Sequence, residues 1–141
     1  MSKRILIHTD GAAKGNPGPA GIGCIACAED GTVLFEHCRY IGETTNNVAE
    51  YKALIDGLTR ALEEGASEVR VASDSELMVR QLHGIYRVKQ PHLRKLFDEV
   101  TRLSRRFDHF EIAHIPREEN READALANRA IRQHNPARQN S

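Results

Sequence analysis

Residues 5–21 read ILIHTDGAAKGNPGPAG, and the fold turns on how this stretch is read. The apolar run from Ile5 has the character of a buried strand covering residues 3–10. It ends on a carboxylate, Asp10. Beyond it, glycines at 11, 15, 18 and 21 and prolines at 17 and 19 make a loop of nearly bare backbone. An aspartate carried to the end of a buried strand is either a turn residue, since Asp–Gly pairs favour turns, or one member of a charged site. The other acids of the chain have to separate these two readings.

Downstream, residues 20–28 and 32–42 form two further strands, joined at Asp30–Gly31, a hairpin signal. From Asn47 the period becomes helical: Tyr51, Leu54, Ile55, Leu58 and Leu62 share one stripe, which Gly65 stops. EVRVASD, residues 68–74, is a fourth strand that again ends in aspartate, and SELMVRQLHG, residues 75–84, is a short helix. Pro91 opens a longer helix with Leu93, Leu96, Phe97, Val100, Leu103 and Phe107 inward. HFEIAHI, residues 109–115, is a fifth strand stopped by Pro116, and a last helix runs from about Asn120 to His134. The order βββαβααβα predicts an α/β fold, a five-stranded mixed sheet with an antiparallel second strand and helices on its faces. Sites in such sheets collect at the carboxyl ends of parallel strands, where the strand order switches.

A chain of 141 residues without internal repeats predicts one domain, residues 1–134, with a flexible tail, residues 135–141. No apolar run approaches the ~18 residues of a membrane span, and the first residues lack the core of a signal peptide, so a cytoplasmic protein with no membrane partner is expected. The three cysteines argue against a disulfide framework. Cys24 and Cys27 lie three apart on a strand, facing opposite sides, and read as small core residues. The formal charge is zero, but its distribution is uneven: from Arg80 to Arg106 eight basic residues face two acidic ones. Such a basic segment suits either a solvated helix face or a polyanion.

Four carboxylates stand out. Asp10 and Asp74 each close a buried-type strand; Glu50 lies in the first turn of the first long helix, and Asp124 near the start of the last. Each has an ordinary reading: a turn for Asp10, a helix cap for Asp74, a capping box Asn47-x-x-Glu50, a helix-dipole partner for Asp124. Taken together they read differently. Two parallel strands ending in aspartate put their carboxylates ~5 Å apart on the backbone grid, where like charges must share protons or hold a cation. An all-oxygen cluster suits Mg²⁺, with Mn²⁺ as substitute. Two such ions ~4 Å apart serve in-line displacement at phosphorus. GAAKGNPG lacks the phosphate-loop pattern, so no nucleotide cofactor is expected.

TDGAAKGNPGPAGIG, TTNNVAEYKAL, SDSELMVRQL and READALANRA resemble, in order and spacing, the four signature segments of type 1 ribonuclease H across nearly the whole chain. The resemblance implies the ribonuclease H-like fold and an endoribonuclease that hydrolyses the RNA strand of RNA–DNA hybrids with two Mg²⁺ ions. The products are 5′-phosphate and 3′-hydroxyl ends, in primer and R-loop removal. It makes Asp10, Glu50, Asp74 and Asp124 the catalytic metal ligands. It also makes Gly11, Asn16 and Gly18 minor-groove contacts, with Glu50 and the loop backbone sensing the 2′-hydroxyl, Asn46 and Asn47 contacts to base edges and sugars in that groove, and Thr45 a contact to a DNA phosphate. The segment GIYRVKQPH is too short for the family's basic protrusion, so the chain resembles the branch that lacks it, and grip on the hybrid falls to Lys89, Arg87, Arg94 and Lys95, or to the basic tail. The family's mobile loop histidine corresponds by spacing to His114, yet that residue reads as part of the fifth strand. Arg117 and Glu118 then occupy the loop beside the metals. A monomer is expected. The competing readings are the same fold acting also on double-stranded RNA, or a catalytically inactive hybrid-binding module.

Overall fold

The computed structural model describes residues 3–134. Five strands are present: β1 (Arg4–Ala13), β2 (Gly18–Ala28), β3 (Val33–Thr44), β4 (Glu68–Ser73) and β5 (His109–His114). The helices are α1 (Asn46–Glu63), α2 (Glu76–Leu82), α3 (Pro91–Ser104) and α4 (Arg121–His134), with a 3₁₀ turn at Arg117–Glu119. The elements follow one another in the order expected. The tail at 135–141 lies outside the described residues. Among the described residues no helix is long and apolar enough to cross a membrane.

The strands form one sheet in the order β3-β2-β1-β4-β5. β2 is antiparallel to both neighbours, and β4 runs parallel to β1 and to β5. The chain therefore builds outward from β1 in one direction and then, through α1, in the other. The rim outside β1 and β4 is the switch in strand order, where neither connection closes over the carboxyl ends.

β1 does not stop at Asp10. Its ladder with β2 continues through Gly11↔Ile22 and Ala12↔Gly21 to Ala13↔Ala20, so the expected loop is mostly strand and only residues 14–17 turn. The physical reason is two-sided packing. A Cβ on Gly11 would stand 2.2 Å from the carbonyl carbon of Ala49 in α1, and one on Gly23 would stand 2.5 Å from the carbonyl oxygen of Ala123 in α4. The glycines are places where helix backbone presses on strand, not places where the chain has lost regular structure.

α1 lies on one face of the sheet. Its Tyr51, Leu54 and Leu58 are buried against Ile5, Ile7, Val69 and Val71, and each such side chain contributes ~1.5–3 kcal/mol. α3 packs on α1 through Val100 and Leu103. α4 covers β1, β2 and β3 on the opposite face. The helix stops are as expected, with Gly65 and Gly84 at φ of +81° and +79°. Cys24 is buried and Cys27 partly exposed, and both are free thiols.

Candidate active site

The start of α1 departs from the capping box read at Asn47. Thr45 is the N-cap, its Oγ1 accepting from the Val48 N–H at 3.3 Å, so the helix begins at Asn46 and Glu50 lies one turn in rather than in the first turn. The Glu50 carboxylate does not reach back to the helix start. Its Oε1 accepts instead from the backbone N–H of Gly11 at 2.8 Å. Ser75 rather than Asp74 caps α2, accepting from the Met78 N–H at 3.3 Å, and this leaves the Asp74 side chain without a capping role.

Four segments converge on the rim. In the parallel register Thr9 faces Ser73, so Asp10 and Asp74 follow side by side. Glu50 arrives from α1 on one face. Asp124 arrives from α4 on the other, brought down by the close approach at Gly23. One carboxylate oxygen each from Asp10, Glu50 and Asp74 lies within 4.8 Å of the others, spacing that a single divalent ion can bridge. Asp124 lines the same cleft, close enough to Asp10 to raise its proton affinity, and so completes the group. The cleft around them holds about 390 Å³, and Lys14, Asn46, Asn47, Arg117 and Asn128 share its walls with the four acids. A larger hollow of about 650 Å³ lies at the other end of β1 and β4, but its lining of Arg4, Glu29, Glu68, Arg70 and Glu111 is paired internally.

The acids pay for this proximity. Burial first, then the Glu50 charge, the hydrogen bond with Asp124 and the charges of Asp74 and Asp124 push Asp10 up to about 10. Burial likewise raises Glu50, to about 8, against the Gly11 N–H that favours its ionised form. A proton held on Asp10 thus stands in for a missing positive charge, and a divalent ion would displace it. The donor set is all oxygen, partly buried and short of cations. It fits a hard divalent metal.

The remaining predicted residues divide. Asn46 and Asn47 line the cleft, and so does Arg117. Asn16 and Asn46 tie the hairpin tip to α1: Asn16 Oδ1 accepts from the Asn46 N–H at 3.1 Å, and Asn46 Oδ1 from the Ala13 N–H at 2.9 Å. Gly18 has an internal reason to be glycine, since a Cβ there would stand 2.0 Å from the Lys14 carbonyl oxygen. Arg87 and Lys89 are exposed in the segment between α2 and α3, outside the cleft lining. His114 is exposed at the end of β5, and Glu118 is exposed in the 3₁₀ turn; neither lines the cleft. Two residues without a prior signal for this site also belong here. Asn128 Nδ2 donates to the Asp124 carbonyl at 2.9 Å and to its Oδ1 at 3.2 Å. Asn120, expected only as a helix start, is 1% exposed and donates to the Thr9 carbonyl at 2.9 Å and to Asp74 Oδ1 at 3.4 Å.

Residues 8–130 match a family profile described as reverse transcriptase-like. The chain is 41% identical to ribonuclease HI of Halobacterium salinarum over 91% of its own length and 64% of that protein. It belongs to the type 1 ribonuclease H family. The crystal structure of the ribonuclease H1 from that archaeon superposes with a TM-score of 0.90 at 40% identity, covering 92% of this chain and 98% of the solved one. A bifunctional protein of Mycobacterium tuberculosis is 44% identical over 91% of this chain but only 35% of its own length, so the chain spans about a third to two thirds of these relatives. LC11 ribonuclease H1, solved in complex with an RNA/DNA hybrid, matches with a TM-score of 0.88 at 47% identity, over 92% of this chain and 98% of that one. The five-stranded mixed sheet is the ribonuclease H fold.

Proposed function

We propose that the chain is an endoribonuclease that hydrolyses the RNA strand of RNA–DNA hybrids, leaving 5′-phosphate and 3′-hydroxyl ends, with primers and R-loops as substrates in the cell. The observation that carries this reading is the meeting of Asp10, Glu50 and Asp74 oxygens within 4.8 Å at the strand-order switch. Asp10, Glu50, Asp74 and Asp124 hold two Mg²⁺ ions in the presence of substrate, with Mn²⁺ as substitute. The bound ions supply the charge that activates an attacking water and steadies the leaving oxygen during in-line displacement.

The chain's own residues bind and orient. The Gly11 N–H fixes one Glu50 oxygen and leaves the other for a ligand. With their oxygens engaged at the hairpin tip, Asn16 and Asn46 keep their amide nitrogens as donors toward base edges and sugars in the minor groove, beside Asn47. Gly11 and Gly18 bring main chain close to the RNA strand. Thr45 Oγ1 accepts from Val48 and retains its hydroxyl proton for a DNA phosphate. Arg117 presents its guanidinium to a phosphate at the cleft, with Glu118 and His114 farther out. Arg87 and Lys89 contact the duplex backbone beyond α2. Support for the hybrid as substrate comes from the likeness to LC11 ribonuclease H1.

The test is a matched cleavage assay on labelled RNA–DNA, RNA–RNA and DNA–DNA duplexes with Mg²⁺. The expected result is cleavage of the RNA strand of the hybrid with 5′-phosphate ends. Intact hybrid at saturating Mg²⁺ would overturn the enzyme reading, and equal cleavage of RNA–RNA would overturn the specificity.

A further inference from the structure

Asn120 sits where three of the four carboxylate-bearing segments meet. Its Nδ2 bonds the carbonyl of Thr9, the residue immediately before Asp10, and reaches Oδ1 of Asp74 at the end of β4. Its own carbonyl accepts from the Asp124 N–H at 3.1 Å and so starts α4. Both side-chain partners are acceptors only, which fixes the amide orientation with its NH₂ toward them. The price of that orientation is visible, since Asn120 Oδ1 is buried without a partner. A side chain retained for stability alone would satisfy both ends, or be apolar. Here one end is left orphaned while the other holds Asp74 to the strand that carries Asp10. Among the described residues, Asn120 supplies the hydrogen bond to the Asp74 carboxylate, and at 3.4 Å it has room to shorten when Asp74 is drawn to a cation.

We propose that Asn120 is a positioning residue that orients Asp74 for metal binding and couples it to the Asp10 strand. The proposal rests on the metal-centre reading above. It is tested on the full chain with Mg²⁺ alone as probe. In the wild-type protein, a Mg²⁺ titration followed by NMR reads the Asp74 carboxyl carbon and the Asn120 side-chain NH₂. Both should shift with one common midpoint. In Asn120→Asp, the Mg²⁺ midpoint should rise by ~10–100-fold, with kcat falling comparably and KM for the hybrid within about twofold of wild type. Gln81→Met, a buried change that breaks the Tyr51 hydrogen bond away from the cleft, should lower the melting temperature and leave the Mg²⁺ midpoint alone. An Asn120 amide that stays still while Asp74 shifts overturns the proposal, even if Asn120→Asp fails to fold. So does an Asn120→Asp variant that behaves like Gln81→Met. Silence from Asp74 itself would instead sink the metal centre, and the positioning role with it.

Discussion

Replacing Gly11 with alanine tests the packing that brings Glu50 to the site. An added Cβ would stand 2.2 Å from the carbonyl carbon of Ala49, 2.4 Å from its oxygen and 2.5 Å from the Glu50 nitrogen. All three are helix backbone, so no side chain can swing away. To recover ordinary contact at 3.4 Å, α1 has to retreat from β1 by about 1.2 Å at the turn that carries Glu50. Overpacking of this kind costs ~1–3 kcal/mol, which at this chain length lowers the melting temperature by roughly 3–10 °C. A displacement of ~1 Å in a catalytic group is worth ~100-fold in rate. Steady-state kinetics on a labelled hybrid and a thermal melt read both effects. The expected result is a kcat lowered about 100-fold with KM changed little, because the damage falls on the carboxylate cluster. If Gly11 were glycine only so that RNA could approach its backbone, KM would rise and kcat would hold. A variant with wild-type kcat and an unchanged melting temperature would refute the packing argument altogether.

Without divalent metal the folded protein should lose stability as pH rises. Asp10 and Glu50 keep protons that the unfolded chain has released, so the stability present below the ordinary values of 3.8 and 4.5 is lost as pH climbs through about 8 and about 10; melts across that range should also show a Mg²⁺-induced gain that grows with pH. Arg117→Ala should lower turnover by at least about tenfold and His114→Ala by less than about twofold, since only Arg117 lines the cleft; single-turnover and steady-state assays compare them, and the reverse order would move the functional role to β5. Tyr51→Phe strips a buried 2.6 Å hydrogen bond from Gln81 and should cost ~1–3 kcal/mol in urea melts with little change in kcat. Hybrid affinity should fall steeply with salt if exposed cations such as Arg87 and Lys89 carry the grip; a filter-binding slope near zero would contradict that.

The elements whose signal is local were legible in the sequence. The stripe from Tyr51 to Leu62 marked α1, Pro91 marked the start of α3, and two aspartates closing apolar runs marked the rim. What was hidden depended on contacts between segments far apart in the chain. Gly11 read as a loop glycine, and Gly23 had no signal beyond its place in the second strand, because nothing in the local pattern says that a helix will press on each. Asn47 read as a helix cap because Glu50 follows at capping-box spacing, yet Glu50 finds a better donor 39 positions away in Gly11. Asn120 had only the signal of a polar residue before a helix. Its partners, Thr9 and Asp74, lie 111 and 46 positions distant, which no periodicity encodes.

The donors that hold the acids explain why the cluster still wants a metal. Gly11 holds Glu50, Asn120 holds Asp74, and Asn128 holds Asp124, each through a neutral N–H. Among the described residues, no ion pair within 4.0 Å involves any of the four carboxylates. Neutral donors fix where oxygens point without cancelling their charge, whereas a lysine or arginine in the same place would neutralise them and occupy the coordination sites. Elsewhere the same chain uses the other solution: Asp56, also partly buried, is paired with Arg60 at 3.2 Å, and its Oδ2 also lies in hydrogen-bond contact with His37 Nδ1 at 2.8 Å. The fold thus separates acids it has compensated from acids it has only aimed, and the second kind is what a divalent ion can bind.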